Sequence, residues 1–166
     1  LLVQLVKDPC VSKGARLSTQ VSIAGRLGVY RPQDPNIGIS QRIEDVAERE
    51  NLREKVHSLI PEGESGGFIV RTVAETATDA ELKSDIDYLV TLWKQIQQSA
   101  LTAAPQALLY QDLALAARVL RDLVTDTTER VIVDSRETFH RLQDLAEKHT
   151  RKALPTLKHY SGERPK

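Results

Sequence analysis

In GGFIVRTVAE, residues 66–75, a cation and a hydroxyl stand side by side at the end of an apolar, strand-forming run: Arg71 and Thr72. The planar guanidinium of arginine can hold two phosphate oxygens at once, which lysine cannot do. An adjacent Thr hydroxyl and backbone N–H can complete a cage, and Gly67 permits close backbone approach. The competing role for Arg71 is an ion pair with acids nearby in sequence, Glu75, Glu81 or Asp85. Lys13, Arg16 and Arg26 form a modest basic cluster on the neighbouring predicted strands. Such a cluster suits a phosphodiester backbone, and equally the wet face of a sheet.

Other chemistry is less well supported. His57, His140, His149 and His159 lie near no Gly-x-Ser-x-Gly elbow, and Cys10 has no evident base. His140 and His149 share a predicted helix at a poor spacing for a metal. Asp85 and Asp87 read as the solvated side of a helix. Asp126 and Asp134 flank a short strand without a third ligand beside them. No complete set of catalytic residues is read from this chain.

The elements that must position Arg71 follow from periodicity. Leu1 to Val6 reads as a strand stopped by Asp8-Pro9. Ala15 to Ile23 alternates, with Leu17, Thr19, Val21 and Ile23 on one face. Leu27 to Tyr30 and Ile37 to Ile43 read as further strands, the first ended by Pro32 and Pro35. Asp45 and Glu48, then Thr78 and Glu81, carry the spacing of an N-cap and its capping-box partner. The first opens a helix with Val46, Arg49, Leu52, Val56, Leu59 and Ile60 inward. The second opens a long helix on Leu82, Ile86, Leu89, Trp93, Ile96 and Ala100. Ala107 to Tyr110 reads as a short strand. From Asp112 the pattern becomes helix (Leu113–Val124), buried strand (Arg130–Val133), helix capped by Ser135, and strand (Thr156–Tyr160). The last three form a β-α-β unit.

Bulk composition limits the rest. The 166 residues suffice for one domain or two small ones, and 23 Lys+Arg against 23 Asp+Glu leave no net charge, so any nucleic-acid site is a local patch. A single cysteine, Cys10, permits no internal disulfide and points to a cytoplasmic, reducing location. No apolar run is long enough to span a membrane, and the N-terminal residues have no signal-peptide pattern. The chain contains no methionine and opens inside a strand-like stretch, LLVQLVKDP, which predicts a piece of a longer or processed protein.

Taken in order, VQLVKDP, SKGARLSTQVSIAGR, GISQRIED, GGFIVRT, a long helix containing LW, and LKHYSGERP resemble the ribonuclease E/G family, its G-type members more than its E-type ones. The resemblance covers essentially the whole chain. It implies an α/β (α+β) fold in three parts. Residues 1–25 are the last strands of an S1-type β-barrel. Residues 26–116 are a 5′-sensor domain of strands packed with two helices. Residues 117–166 are a partial RNase H-like unit.

The resemblance also implies roles. Arg71 and Thr72 match the pair that binds the 5′-monophosphate of RNA. Gly25 and Val29 match positions that help hold the terminal nucleotide, and Lys13 matches an S1 lysine that contacts RNA. The parent is an endoribonuclease acting on single-stranded RNA in processing and decay, and a homo-oligomer. Its catalytic aspartates with Mg²⁺, the cysteines of its zinc link and a further phosphate-pocket arginine lie beyond Lys166, so this piece should not itself cleave RNA. Two departures stand out. Val11-Ser12 replaces the usual Gly-Thr, and Leu27-Gly28 replaces Tyr-Leu, which predicts a looser backbone before Val29. The alternative is a non-catalytic RNA-binding or protein-interaction module. There Arg71 is a structural ion pair and the helix around Trp93 packs on another protein.

Overall fold

The computed structural model describes residues 1–125, 127–149, 151–160 and 162. The chain divides into two compact units, Leu1–Gln111 and a second beginning at Asp112. The described residues form four α-helices and three small sheets, a mixed α/β architecture without a barrel.

In the first unit, β1 (Gln4–Lys7) and β2 (Arg16–Ser18) make an antiparallel ribbon with a bulge between Leu5 and Lys7. The alternation over Ala15–Ile23 predicts one strand, but the chain breaks it after Ser18. The Ser18 hydroxyl accepts from the Gln20 N–H at 3.1 Å, a local turn that competes with the ladder. Gln33 then clamps the break, accepting from the Val21 N–H at 3.1 Å and donating to the Thr19 carbonyl at 3.3 Å. The predicted buried face is accordingly split: Leu17 is 58% exposed, whereas Ile23 is 2% exposed.

Ile23–Ala24 (β3), Gly28–Arg31 (β4), Gly38–Ile39 (β5) and Gly67–Val70 (β6) form one sheet in the order β3-β4-β6-β5. The β3-β4 and β4-β6 pairs are antiparallel, and β5-β6 is parallel. The strand expected over Ile37–Ile43 shrinks to two residues. The Ser40 carbonyl turns to accept from the Ile43 N–H, and the Arg49 guanidinium takes the carbonyls of Ser40 and Ile43.

Register aligns Ile23, Tyr30 and Phe68 across the inner face, with Val70 beside Ile39. All five side chains are buried. Val29 and Ile69 pair on the opposite, half-exposed face. Gly28 is not loose: it pairs with Val70 in the ladder, and its carbonyl accepts from the Gly25 N–H at 2.8 Å.

Two helices cover the inner face. In α1 (Val46–Leu59), the Asp45 carboxylate caps the Glu48 N–H, and Leu52 and Val56 are buried. In α2 (Asp79–Thr102), Thr78 and Glu81 form a complete capping box, each side chain accepting from the other's backbone. Six α2 side chains are buried: Leu82, Ile86, Leu89, Val90, Trp93 and Ile96. Each contributes about 1.5–3 kcal/mol of transfer free energy. Trp93 is 8% exposed, its side chain packed within this core. Ala107–Tyr110 is not a strand. Gln106 turns the chain with φ of 67°, and Leu109 and Tyr110 pack against the same core as irregular backbone.

The second unit holds α3 (Leu115–Leu123), β7 (Val131–Val133), α4 (Arg136–His149) and β8 (Leu157–His159). β7 and β8 pair in parallel, as a β-α-β unit requires. The Ser135 hydroxyl accepts from the Thr138 N–H at 3.2 Å and opens α4 as expected. Leu120, Leu142, Ala146, Ala153 and Leu157 form the core of this unit. β7 is buried on one side only, since Ile132 is 59% exposed. Asp126 lies outside the described residues.

Candidate functional site

Arg71 sits at the junction between β6 and a 3-10 turn, Thr72–Thr76. Its backbone serves both. The Arg71 N–H donates to the Leu27 carbonyl at 2.9 Å, extending the ladder, and its carbonyl accepts from the Ala74 N–H at 3.0 Å, starting the turn. The guanidinium reaches across to the β3-β4 turn. Nη1 donates to the carbonyls of Gly25 at 2.9 Å and Arg26 at 3.2 Å. Thr72 follows directly, half-buried, with no hydrogen bond from its hydroxyl among the described residues.

The β3-β4 turn owes its shape to a carboxylate from α2. Asp85 Oδ1 accepts from the Arg26 N–H at 3.1 Å. Its Oδ2 accepts from the N–H groups of Leu27 at 3.0 Å and Gly28 at 3.2 Å. Three successive backbone donors thus converge on one anion, a concavity that suits negative charge. With the N–H groups of 26–28 held on the Asp85 side, the carbonyls of 25 and 26 are presented to Arg71. Gly25 is glycine for the same reason. A Cβ there would lie 2.6 Å from Asp85 Oδ2 and 2.9 Å from Leu89 Cδ1.

Four of the expected residues therefore converge on one end of the four-stranded sheet. Arg71 contacts the backbone of Gly25, Thr72 is its neighbour, and Val29 pairs with Ile69, two residues before Arg71. Lys13 belongs to another element. It is exposed in a tight turn whose backbone pairs with Cys10, on the β1-β2 side of the unit. Arg16 lies on β2. Arg26 lies in the β3-β4 turn with a guanidinium nitrogen 3.7 Å from Glu81, so the basic trio is divided between two sheets. Close approach at Gly67 comes from within the chain: the carbonyls of Asp34 and Asn36 press on it.

Asp85 is the residue that sequence reasoning missed, as a solvated-face acid. The signal was present. At about 100° per residue, Asp85 falls beside Leu89 and Ile96, at the edge of the buried stripe. Asp87 does lie on the wet side and pairs with Lys83 Nζ at 2.6 Å.

Elsewhere, Tyr30 is buried, and its hydroxyl donates to Glu64 at 2.6 Å. Burial, then the hydrogen bond and charge of Glu64, hold its phenol well above the usual tyrosine range. Asp34 is held below the usual carboxylate range by the Asn36 N–H, with help from the Asn36 side chain and Arg31. A shallow cleft of about 560 Å³ is lined by Pro35, Asn36, Ile37, Arg53, Glu54 and His57, and shares no residue with the Arg71 site. The guanidinium of Arg71 held against the β3-β4 turn, with Thr72 next in the chain, makes the stronger candidate. Among the described residues no three His, Cys, Asp or Glu side chains cluster to hold a metal ion. No helix among them is long and apolar enough to cross a membrane.

Comparison with known proteins bears on this geometry. A family model described as "Ribonuclease E/G family" matches residues 22–166. Ribonuclease G of Escherichia coli (strain K12) is 41% identical over 165 residues, which is 99% of this chain and 33% of that protein. Ribonuclease G of Haemophilus influenzae is 33% identical over 165 residues, again 99% of this chain and 33% of the relative. Ribonuclease E of Synechocystis sp. is 34% identical over 143 residues, 86% of this chain and 21% of that protein. The chain spans about a third of the length of the ribonuclease G relatives it matches. A strand-end Arg-Thr pair, the turn it grips and a family match over most of the chain lead to one conclusion: this chain belongs to the ribonuclease E/G family.

Proposed function

We infer that this chain carries much of the 5′-monophosphate sensor of an endoribonuclease that acts on single-stranded RNA in processing and decay. The observation that carries the reading is the Arg71 guanidinium, anchored through Nη1 on the carbonyls of Gly25 and Arg26, with Thr72 the next residue in the chain. A terminal phosphate monoester bears close to two charges at neutral pH and offers several acceptor oxygens. A 5′-hydroxyl end offers neither. A positioned guanidinium therefore discriminates the two by charge-assisted hydrogen bonds. Gly25 and Val29 border the place of the terminal nucleotide, and Lys13 meets the RNA farther along.

We propose that the parent carries its catalytic region, with Mg²⁺ and a zinc link, and a further arginine of the phosphate pocket outside these 166 residues. Residues 1–25 fit the end of an S1-type domain, 26–116 the sensor, and 117–166 part of an RNase H-like unit. A cytoplasmic homo-oligomer is the expected setting.

The test is binding to a short single-stranded RNA bearing a 5′-monophosphate or a 5′-hydroxyl. Arg71→Ala is expected to equalise the two affinities. The variant should stay folded, losing about 1–2 kcal/mol with its hydrogen bonds to the turn. The wild-type preference should shrink below about pH 6, where the phosphate dianion takes up a proton and keeps one charge. Equal binding by the folded full-length wild type would refute the sensor reading.

A further inference from the structure

The carboxylate of Asp85 is the hub of the site described above: it takes the N–H groups of the turn whose carbonyls Arg71 takes. It accepts from three consecutive N–H groups, at 3.1, 3.0 and 3.2 Å, across the short connection from β3 into the first residue of β4. The connection is closed within itself by one backbone bond, Gly25 N–H to the Gly28 carbonyl, and tied to the strand end by the Arg71 N–H on the Leu27 carbonyl. Peptide planes are rigid, so holding the N–H groups of residues 26 and 27 on one side turns the carbonyls of residues 25 and 26 to the other. Those two carbonyls are the acceptors of Arg71 Nη1. Asp85 comes from α2, a different element, and is half-buried beside Leu89.

We propose that Asp85 is a positioning residue for 5′-phosphate recognition: by gripping the N–H groups of residues 26–28 it aims the two carbonyls that set the Arg71 guanidinium. The proposal rests on the sensor reading given above. Three consequences distinguish it from a merely stabilising contact. Loss of the carboxylate weakens binding of the phosphorylated end and leaves the 5′-hydroxyl end almost untouched. The effect passes through Arg71, so it vanishes when Arg71 is already alanine. Length matters as well as charge, because the carboxylate already lies so close to Gly25 that a Cβ there would come within 2.6 Å of Oδ2.

The experiment measures Kd for a 5′-monophosphorylated and a 5′-hydroxyl RNA of one sequence in the full-length protein. It compares wild type, Arg71→Ala, Asp85→Asn and the Arg71→Ala/Asp85→Asn double variant. Asp85→Asn keeps the shape but sets an amide donor against backbone donors. It is expected to cut the ratio of the two affinities about tenfold. In the Arg71→Ala background it should change nothing further. Arginine side-chain ¹⁵N signals provide a readout without RNA: Arg71 should show restricted guanidinium rotation in wild type and averaging in Asp85→Asn. If Arg71→Ala abolishes the preference while folded Asp85→Asn retains it, the positioning role is overturned and the sensor reading stands. If wild type shows no preference, both fall together. Trp93 fluorescence reports folding. Should Asp85→Asn unfold, Asp85→Glu replaces it, where a reduced ratio supports the proposal and a wild-type ratio overturns it.

Discussion

Tyr30 carries one ionisation that the fold opposes. Its ring lies against Phe68, centroid to centroid 4.9 Å, and its hydroxyl shares Glu64 with the Gly66 N–H. The folded phenol keeps its proton to higher pH than the unfolded one, which ionises near pH 10. Its contribution is therefore complete below about pH 10 and is lost as pH rises from there. Tyr30→Phe should reduce stability by about 1 kcal/mol at neutral pH, and should flatten the decline above pH 10. Urea titrations between pH 7 and 11 on both proteins test this. Gly67→Ala should be more damaging. A Cβ there would meet the backbone of Asp34 and Asn36, which cannot swing aside as a flexible side chain can. A loss of about 2–3 kcal/mol is expected from thermal unfolding. At this scale the sequence was partly legible. The Arg71-Thr72 pair stood out by residue type and position. The grip of Asp85 did not, because backbone N–H groups leave no trace in a sequence and the three donors lie nearly sixty residues away.

The helices were the most readable elements. Asp45 and Thr78 cap where their spacing said, and the apolar stripe of α2 is buried along most of its 24 residues. Periodicity at 3.6 residues is reinforced over many turns, so a few deviations do not erase it. Short strands lack that reinforcement. The break after Ser18 came from a hydroxyl and from Gln33, fifteen residues on; the shortening at Gly38–Ile39 came from Arg49 on another element. Neither partner could be inferred from the strand itself. Two substitutions probe α2. Thr78→Ala removes the cap and should cost about 1 kcal/mol. Trp93→Ala leaves a large cavity and should cost about 3–5 kcal/mol. Chemical denaturation followed by circular dichroism serves for both, since the second variant loses its own fluorophore.

At the scale of the whole molecule, the sequence pattern changes at Asp112 and the chain divides there into two compact units, whereas the resemblance implied three parts with boundaries after residues 25 and 116. The backbone between α2 and α3 has neither helix nor strand, but Leu109 and Tyr110 are packed on the first core. Brief proteolysis is therefore expected to cut after Tyr110, and mass spectrometry should find a resistant product near Leu1–Gln111. One feature of the first unit also sets a timetable. The turn at Gly25–Gly28, the strand end at Arg71 and the carboxylate at Asp85 are separated by 46 and 59 residues along the chain in their key contacts. On the ribosome, the turn and then Arg71 emerge before the helix that orders them. Until α2 has left the exit tunnel and docked, a nascent chain has the residues of the site but no site, so the arrangement around Arg71 exists only when the first unit has finished folding.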